Sequence, residues 1–198
     1  MNIFFKMVAT LLLFVMALPA MATLRVFSCE PEWTALTIEL GGERISAHSA
    51  TTAQQDPHRI EARPSLIARV RNADLLICSG ADLEVGWLPL LLRQAGNAQV
   101  LDGQPGHFEA SRFVKRLDIP LSLNRADGDI HAAGNPHVHL DPRRIAKIAI
   151  QLSQRLQQLD PEGQAFYQQR LADFNQRWHR AMKKWQQMAL PLKGARVV

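Results

Sequence analysis

The stretch Ala73-Asp74-Leu75-Leu76-Ile77-Cys78-Ser79-Gly80 narrows the choice of fold more than any other. A short, uninterrupted apolar run stopped by Gly fits a strand covered on both faces, the habit of parallel sheets. Residues 24–28 read as an earlier strand, followed by a predicted helix over 32–40. Gly41-Gly42 closes that helix, because Gly takes the left-handed position past a C-cap without a Cβ penalty. A second strand is predicted at 44–49, a polar loop at 51–57, and a helix opened by Pro64-Ser65 and running through Asn72. Residues 85–94 are predicted helical despite Pro89, and 98–101 form a predicted fourth strand. Strands alternating with helices at this spacing indicate an α/β lobe with a mostly parallel four-stranded sheet flanked by helices.

From Gly103 to Pro136 the apolar period is lost among Gly, Pro, Asp and Asn, the mark of a long functional loop. Order returns at Asp141-Pro142, an N-cap with Pro at the first helical position. Ile145, Ile148, Ala149, Leu152 and Leu156 then trace one apolar stripe. Asp160-Pro161 repeats the start signal, and residues 162–188 carry no Pro. A helix of that length spans about 40 Å, more than such a lobe needs, so it reads as a strut between two bodies. Pro191 stops it, and Gly194 to Val198 reads as the first strand of a second lobe, cut off at the C-terminus.

Lys6, the apolar run 8–18 and Ala20-Met21-Ala22 have the layout of a signal peptide cleaved after Ala22. The run is shorter than the roughly 20 apolar residues of a membrane span. Bulky Phe27 in Val26-Phe27-Ser28-Cys29 argues against a lipoprotein motif, so a soluble, periplasmic protein is expected. The resulting organisation is 1–22 signal peptide, 23–160 N-terminal lobe, 161–190 connecting helix and 191–198 the start of a truncated second lobe.

The net charge of +5 is unevenly placed: residues 1–140 hold 12 Lys/Arg against 14 Asp/Glu, and 141–198 hold 11 against 4. A basic excess confined to one helical tail, with no nucleic-acid module, reads as a solvated helix face. No P-loop, GxGxxG, HExxH or GxSxG pattern occurs, which removes the commonest nucleotide, hydride, zinc-protease and serine-hydrolase signals. Cys29 and Cys78 follow the first and third strands; if those strands are neighbours, both thiols reach one sheet edge. In an oxidising compartment that arrangement favours a disulfide, with two buried free thiols, or a thiol ligand to metal, as alternatives.

Three histidines lie in two stiffened loops, Gln55-Asp56-Pro57-His58 and Asn135-Pro136-His137-Val138-His139-Leu140-Asp141-Pro142. Pro fixes its own φ and biases its predecessor to extended geometry. In an extended chain His137 and His139 point to one face about 6.6 Å apart. Neutral imidazoles on rigid loops make a reasonable half of a zinc site, while spacing alone leaves solvated surface histidines open. Asp82 and Glu84 beside Trp87 superficially suggest an acid/base pair; Asp82 is expected to cap the following helix. Arg59, Glu61 and Arg63 alternate in charge and read as surface or inter-lobe pairing, not catalysis. His131 is expected to be solvated, with transient metal capture as the alternative, and His48, His107 and His179 carry no site reading.

Asp56-Pro57-His58 followed by Glu61 and Pro64-Ser65, Ala73 to Ile77, Ser79-Gly80-Ala81-Asp82-Leu83-Glu84, Trp87-Leu88 and Asn135 to Pro142, in this order, resemble the zinc/manganese-binding periplasmic receptors of ABC importers (cluster A-I type). That resemblance implies two α/β lobes joined by one long helix, with the metal between them. It implies His58 and His137 as N-lobe metal ligands, with His139 packing behind them or ligating directly. Further donors would come from the second lobe, so this chain alone should hold zinc weakly. The implied ligand is Zn2+, with Mn2+ as the lesser choice, and the implied partner an inner-membrane ABC permease. The chain is then a monomeric receptor, not an enzyme, and binds no nucleic acid. The competing readings are an exported zinc-dependent hydrolase, or a metal-buffering or adhesin protein on the same scaffold.

Overall fold

The computed structural model describes residues 23–120, 122 and 131–195. The signal-peptide reading of 1–22 and most of the strand expected after Gly194 lie outside the described residues. Four strands, β1 (Leu24–Ser28), β2 (Ile45–Ser49), β3 (Leu75–Cys78) and β4 (His107–Glu109), form one sheet in the order β2-β1-β3-β4. Every pairing is parallel, with Phe27 opposite both His48 and Leu76, and Ile77 opposite Phe108. Among the described residues, no helix is long and apolar enough to cross a membrane.

Both sheet faces are covered, as the apolar run of β3 implies. Leu75 and Ile77 join Val26 and Phe108 in a core with α1 (Pro31–Gly41), α4 (Pro142–Leu159) and α5 (Gln164–Ala189). Leu76 and Cys78 point the other way, joining Phe27, Leu66, Val70, Leu91 and Val100 beneath α2 (Pro64–Arg71) and α3 (Leu88–Ala95). This two-sided division follows from the period of two along a strand. Helix α1 is capped by Gly42, whose φ of 49° strains any side chain and where a Cβ would come within 3.1 Å of Phe166. Helix α4 starts as its sequence indicates, with the Asp141 carboxylate accepting from the Arg143 N–H and Pro142 at its first position.

Three local expectations need correction. Residues 98–101 are not a strand: the Asn97 side chain accepts from the Gln99 N–H and bends 98–100 into a 3-10 turn, with Val100 buried. The fourth strand is instead His107–Glu109, inside the supposed loop, where fully buried Phe108 fills the core. Helix α3 starts at Leu88, not residue 85, because Pro89 settles in its first turn. Asp82 does not cap it; that N-cap is Trp87.

A buried polar knot ties the helices to the sheet. Arg44 donates Nε and one terminal nitrogen to the two oxygens of Asp160, at 2.7 and 2.8 Å, and the Tyr167 hydroxyl donates to Asp160 Oδ2 at 2.7 Å. Helix α5 has 26 residues, of which only Tyr167 and Phe174 are buried; Met188, near its end, is exposed. Cys29 and Cys78 are bonded, with Cα atoms 4.8 Å apart, at the carboxyl ends of the adjacent strands β1 and β3.

Candidate metal centre

The loop after β2 carries His58, and its backbone is fixed from both sides. Asp56 Oδ1 accepts from the His58 backbone N–H at 3.0 Å and from its ring Nδ1 at 2.7 Å. These two bonds hold the Asp56 carboxyl below the usual carboxylate range. The Pro57 carbonyl accepts from Trp87 Nε1 at 2.8 Å, and Gly86 sits so close to the His58 carbonyl that a Cβ would lie 3.0 Å from it. With the proton on Nδ1 committed to Asp56, Nε2 presents its lone pair to the cleft, the arrangement that metal-binding histidines use.

His137 is set by a second chain of contacts. Its N–H donates to Asn135 Oδ1 at 2.9 Å, the Asn135 amide nitrogen donates to Asp118 Oδ2 at 3.1 Å, and the Asn135 N–H donates to the Leu117 carbonyl at 2.8 Å. The His137 and His58 rings meet edge to face, with centroids 6.3 Å apart. Partial burial, then the neighbouring His139, His58 and His131 rings, push the His137 imidazole below its ordinary pKa. The neutral form, which binds metal, is thereby favoured.

His131 is not the solvated residue its loop setting implies: its Nε2 lies 3.1 Å from His58 Nε2, with the rings stacked 5.2 Å apart. Donors at 2.0–2.1 Å on a tetrahedral zinc stand about 3.3 Å apart, so this spacing suits two ligands of one ion. Asp82, the supposed helix cap, accepts from the Ala133 N–H at 3.1 Å and so tethers the His131 segment. No sequence spacing announces the His131 contact, since 73 positions separate it from His58. His58, His131, Asn135 and His137 line a cleft of about 350 Å³. Among the described residues, no three donors that include both His58 and His137 fall within 4.8 Å of one another.

His139 stands behind His137, with centroids 5.8 Å apart, and edge-on to Trp33 at 6.3 Å. Its Nδ1 is 3.1 Å from Glu32 Oε1 but out of line for a hydrogen bond. The other histidines lie elsewhere. His107 Nδ1 bonds the Val100 carbonyl, and the donor set it forms with Asp102 and Glu109 is already occupied by Arg112, 2.8 and 2.7 Å from the two carboxylates. His179 bonds the Asn175 carbonyl, and the His48 ring lies 6.4 Å from Phe27.

Comparison with known proteins bears on the family and the fold. The family profile "ZnuA: Zinc-uptake complex component A periplasmic" matches residues 26–198. The manganese ABC transporter substrate-binding lipoprotein PsaA of Streptococcus pneumoniae is 27% identical over 145 residues, covering 72% of this chain and 44% of its own. The metal ABC transporter substrate-binding lipoprotein SloC of Streptococcus mutans is 26% identical over 136 residues, 67% of this chain and 41% of its own. The chain thus spans less than half the length of these curated relatives. The fold matches a crystal structure of ZnuA with a TM-score of 0.69 at 20% identity, covering 86% of this chain and 60% of that one. These relatives are substrate-binding components of transporters, not enzymes. A profile that spans both histidine loops and the sheet beneath them makes the chain a member of the ZnuA family.

Proposed function

We propose that this chain captures a divalent transition-metal ion, Zn2+ ahead of Mn2+, for delivery to an inner-membrane ABC permease, and that His58 and His137 are ligands in this part of the receptor. The observation that carries the reading is the tautomer lock: Asp56 holds His58 Nδ1 and turns Nε2 into the cleft, 3.1 Å from His131 Nε2 and facing the His137 ring. Nitrogen donors suit zinc better than manganese, which prefers oxygen. His131 joins as a third donor, His139 buttresses His137, and α5 is the strut toward a second lobe. Export to the periplasm, with cleavage after Ala22, belongs to the same reading.

The chemistry is coordination without turnover. Imidazoles bind as neutral groups, and protons compete as pH falls below the ordinary histidine value of about 6.5. The test is calorimetric titration of the chain with Zn2+ and Mn2+ in wild type, His58→Ala and His137→Ala. One zinc per chain, bound more tightly than manganese and lost in both variants, is the expected result. Equal affinity in wild type and either variant would overturn the assignment.

A further inference from the structure

In an open α/β sheet, ligands bind outside the carboxyl ends of the strands where the strand order reverses. In the order β2-β1-β3-β4 that crevice lies between β1 and β3. Here it holds a dense set of donors apart from the histidine cleft. Cys29 and Cys78 are fully buried there, and one carboxylate oxygen of buried Glu84 lies within 4.8 Å of both sulfurs. Glu84 accepts from the Ser79 and Gly80 N–H groups at 2.8 and 3.1 Å. Glu30 meets it from the other side, its Oε2 accepting from Ser79 N–H and Oγ at 3.3 and 3.1 Å. The second oxygen of Glu30, Oε1, is buried and receives no N–H or hydroxyl donor, and the Glu30 carboxyl shares a side-chain hydrogen bond with Glu84. Burial raises the pKa of both acids, that of Glu30 strongly, and the facing Glu84 adds to it. The fold therefore spends desolvation on two carboxyls and satisfies one of them only in part.

We propose that reduction of the Cys29–Cys78 bond by a dithiol uncovers a second metal site, in which the two thiolates and the Glu84 carboxylate bind a thiophilic divalent cation, Zn2+ or Cd2+. The dithiol supplies two electrons and two protons and leaves as its own disulfide, while the protein S–S bond becomes two thiols. The cation then displaces the proton of each thiol, and any held on Glu84, to form two metal–sulfur bonds and one metal–oxygen bond. Tetrahedral zinc with S and O donors at 2.0–2.3 Å keeps them about 3.4–3.8 Å apart, so the two freed sulfurs must swing apart, while a Glu84 oxygen already lies within 4.8 Å of both. The donors are pre-positioned, because the Cys29 N–H donates to the Ile77 carbonyl at 2.8 Å and stays in the sheet when the S–S bond is broken. With the bond closed, neither sulfur carries the charge a metal needs, so the disulfide acts as the lock.

The experiment uses the full chain with His58→Ala and His137→Ala, so that it reads this site alone and is independent of the cleft. The protein is reduced with dithiothreitol, desalted without oxygen and titrated with Cd2+, following thiolate-to-cadmium absorption in the ultraviolet and far-ultraviolet circular dichroism. One equivalent of cadmium in the reduced chain is expected, with none in the oxidised chain or in Cys29→Ser/Cys78→Ser. Glu84→Gln, reduced, should bind about tenfold more weakly. A folded, reduced chain that takes up no more cadmium than the oxidised one overturns the proposal. If reduction loosens the fold, cadmium must restore the native spectrum; thiolate binding without that recovery, or undiminished by Glu84→Gln, overturns it equally.

Discussion

Replacing Asp56 by Ala removes no metal donor, yet it should weaken zinc binding about tenfold. Two bonds are lost, one from the His58 N–H at 3.0 Å and one from the ring Nδ1 at 2.7 Å. Partners that orient a ligating histidine are worth about 10–100-fold in metal affinity. The Asp56 side chain is 52% exposed and that of His58 26%, so water replaces part of what is lost and the lower end of that range applies. Competition with a chromophoric chelator at neutral pH measures it. Asp56→Asn, which keeps an acceptor without the charge, should fall between wild type and Ala. Nitrogen NMR of the His58 ring should show the proton leaving Nδ1 in the Ala variant. Unchanged affinity in Asp56→Ala, with His58→Ala strongly impaired, would refute the tautomer argument.

The Arg44–Asp160–Tyr167 knot predicts an acid-labile share of stability. The Arg44 bonds hold Asp160 below its ordinary value of 3.8, so this share is complete above that value and is lost as pH falls through the lowered one. Asp160→Asn, which leaves Arg44 buried without its counter-charge, should cost about 3 kcal/mol at neutral pH and flatten the acid limb of the urea stability profile. Cys29→Ser/Cys78→Ser opens a loop closed across 49 positions and should lower unfolding free energy by about 4 kcal/mol on the loop-entropy model; a change under about 1 kcal/mol would contradict it.

How far the sequence could be read depended on where each signal originates. The parallel sheet was legible in β3, because a strand buried on both faces must be apolar throughout, and α4 was legible from Asp141-Pro142 and its stripe. The fourth strand was not. Ala98 to Leu101 has a strand-like composition, but the Asn97 side chain reaches the Val70 and Ala73 carbonyls as well as the Gln99 N–H and turns the chain there. Phe108, one large residue in a Gly- and Pro-rich stretch, gives no period to detect. At the site, Pro-His pairs announce His58 and His137 because stiffening is local. His131 meets His58 only through tertiary placement, and Asp82 reaches Ala133 across 51 positions instead of capping its own helix.

Backbone strain marks the same place. Among the described residues, the only non-glycine positions with left-handed φ are Ala81 (52°), Asp82 (68°) and Asp118 (51°); Asp118 lines the cleft, as does Gly134 (91°). Each non-glycine position of this kind costs on the order of 1–3 kcal/mol, less for Asp than for Ala, and such residues gather at functional sites. Two of the three hold histidine-bearing segments: Asp82 the Ala133 amide beyond His131, and Asp118 the Asn135 amide that sets His137. If that strain serves metal binding, stability and affinity must part company. Asp118→Gly relieves the left-handed φ but drops the Asn135 contact. Unfolding free energy should then hold or rise by up to about 1 kcal/mol, while zinc affinity falls severalfold. Asp118→Ala, which keeps the strain and loses the contact, should lower both. Parallel losses of stability and affinity in Asp118→Gly would mean that the residue only shapes its loop, and the link from strain to the His137 setting would fail.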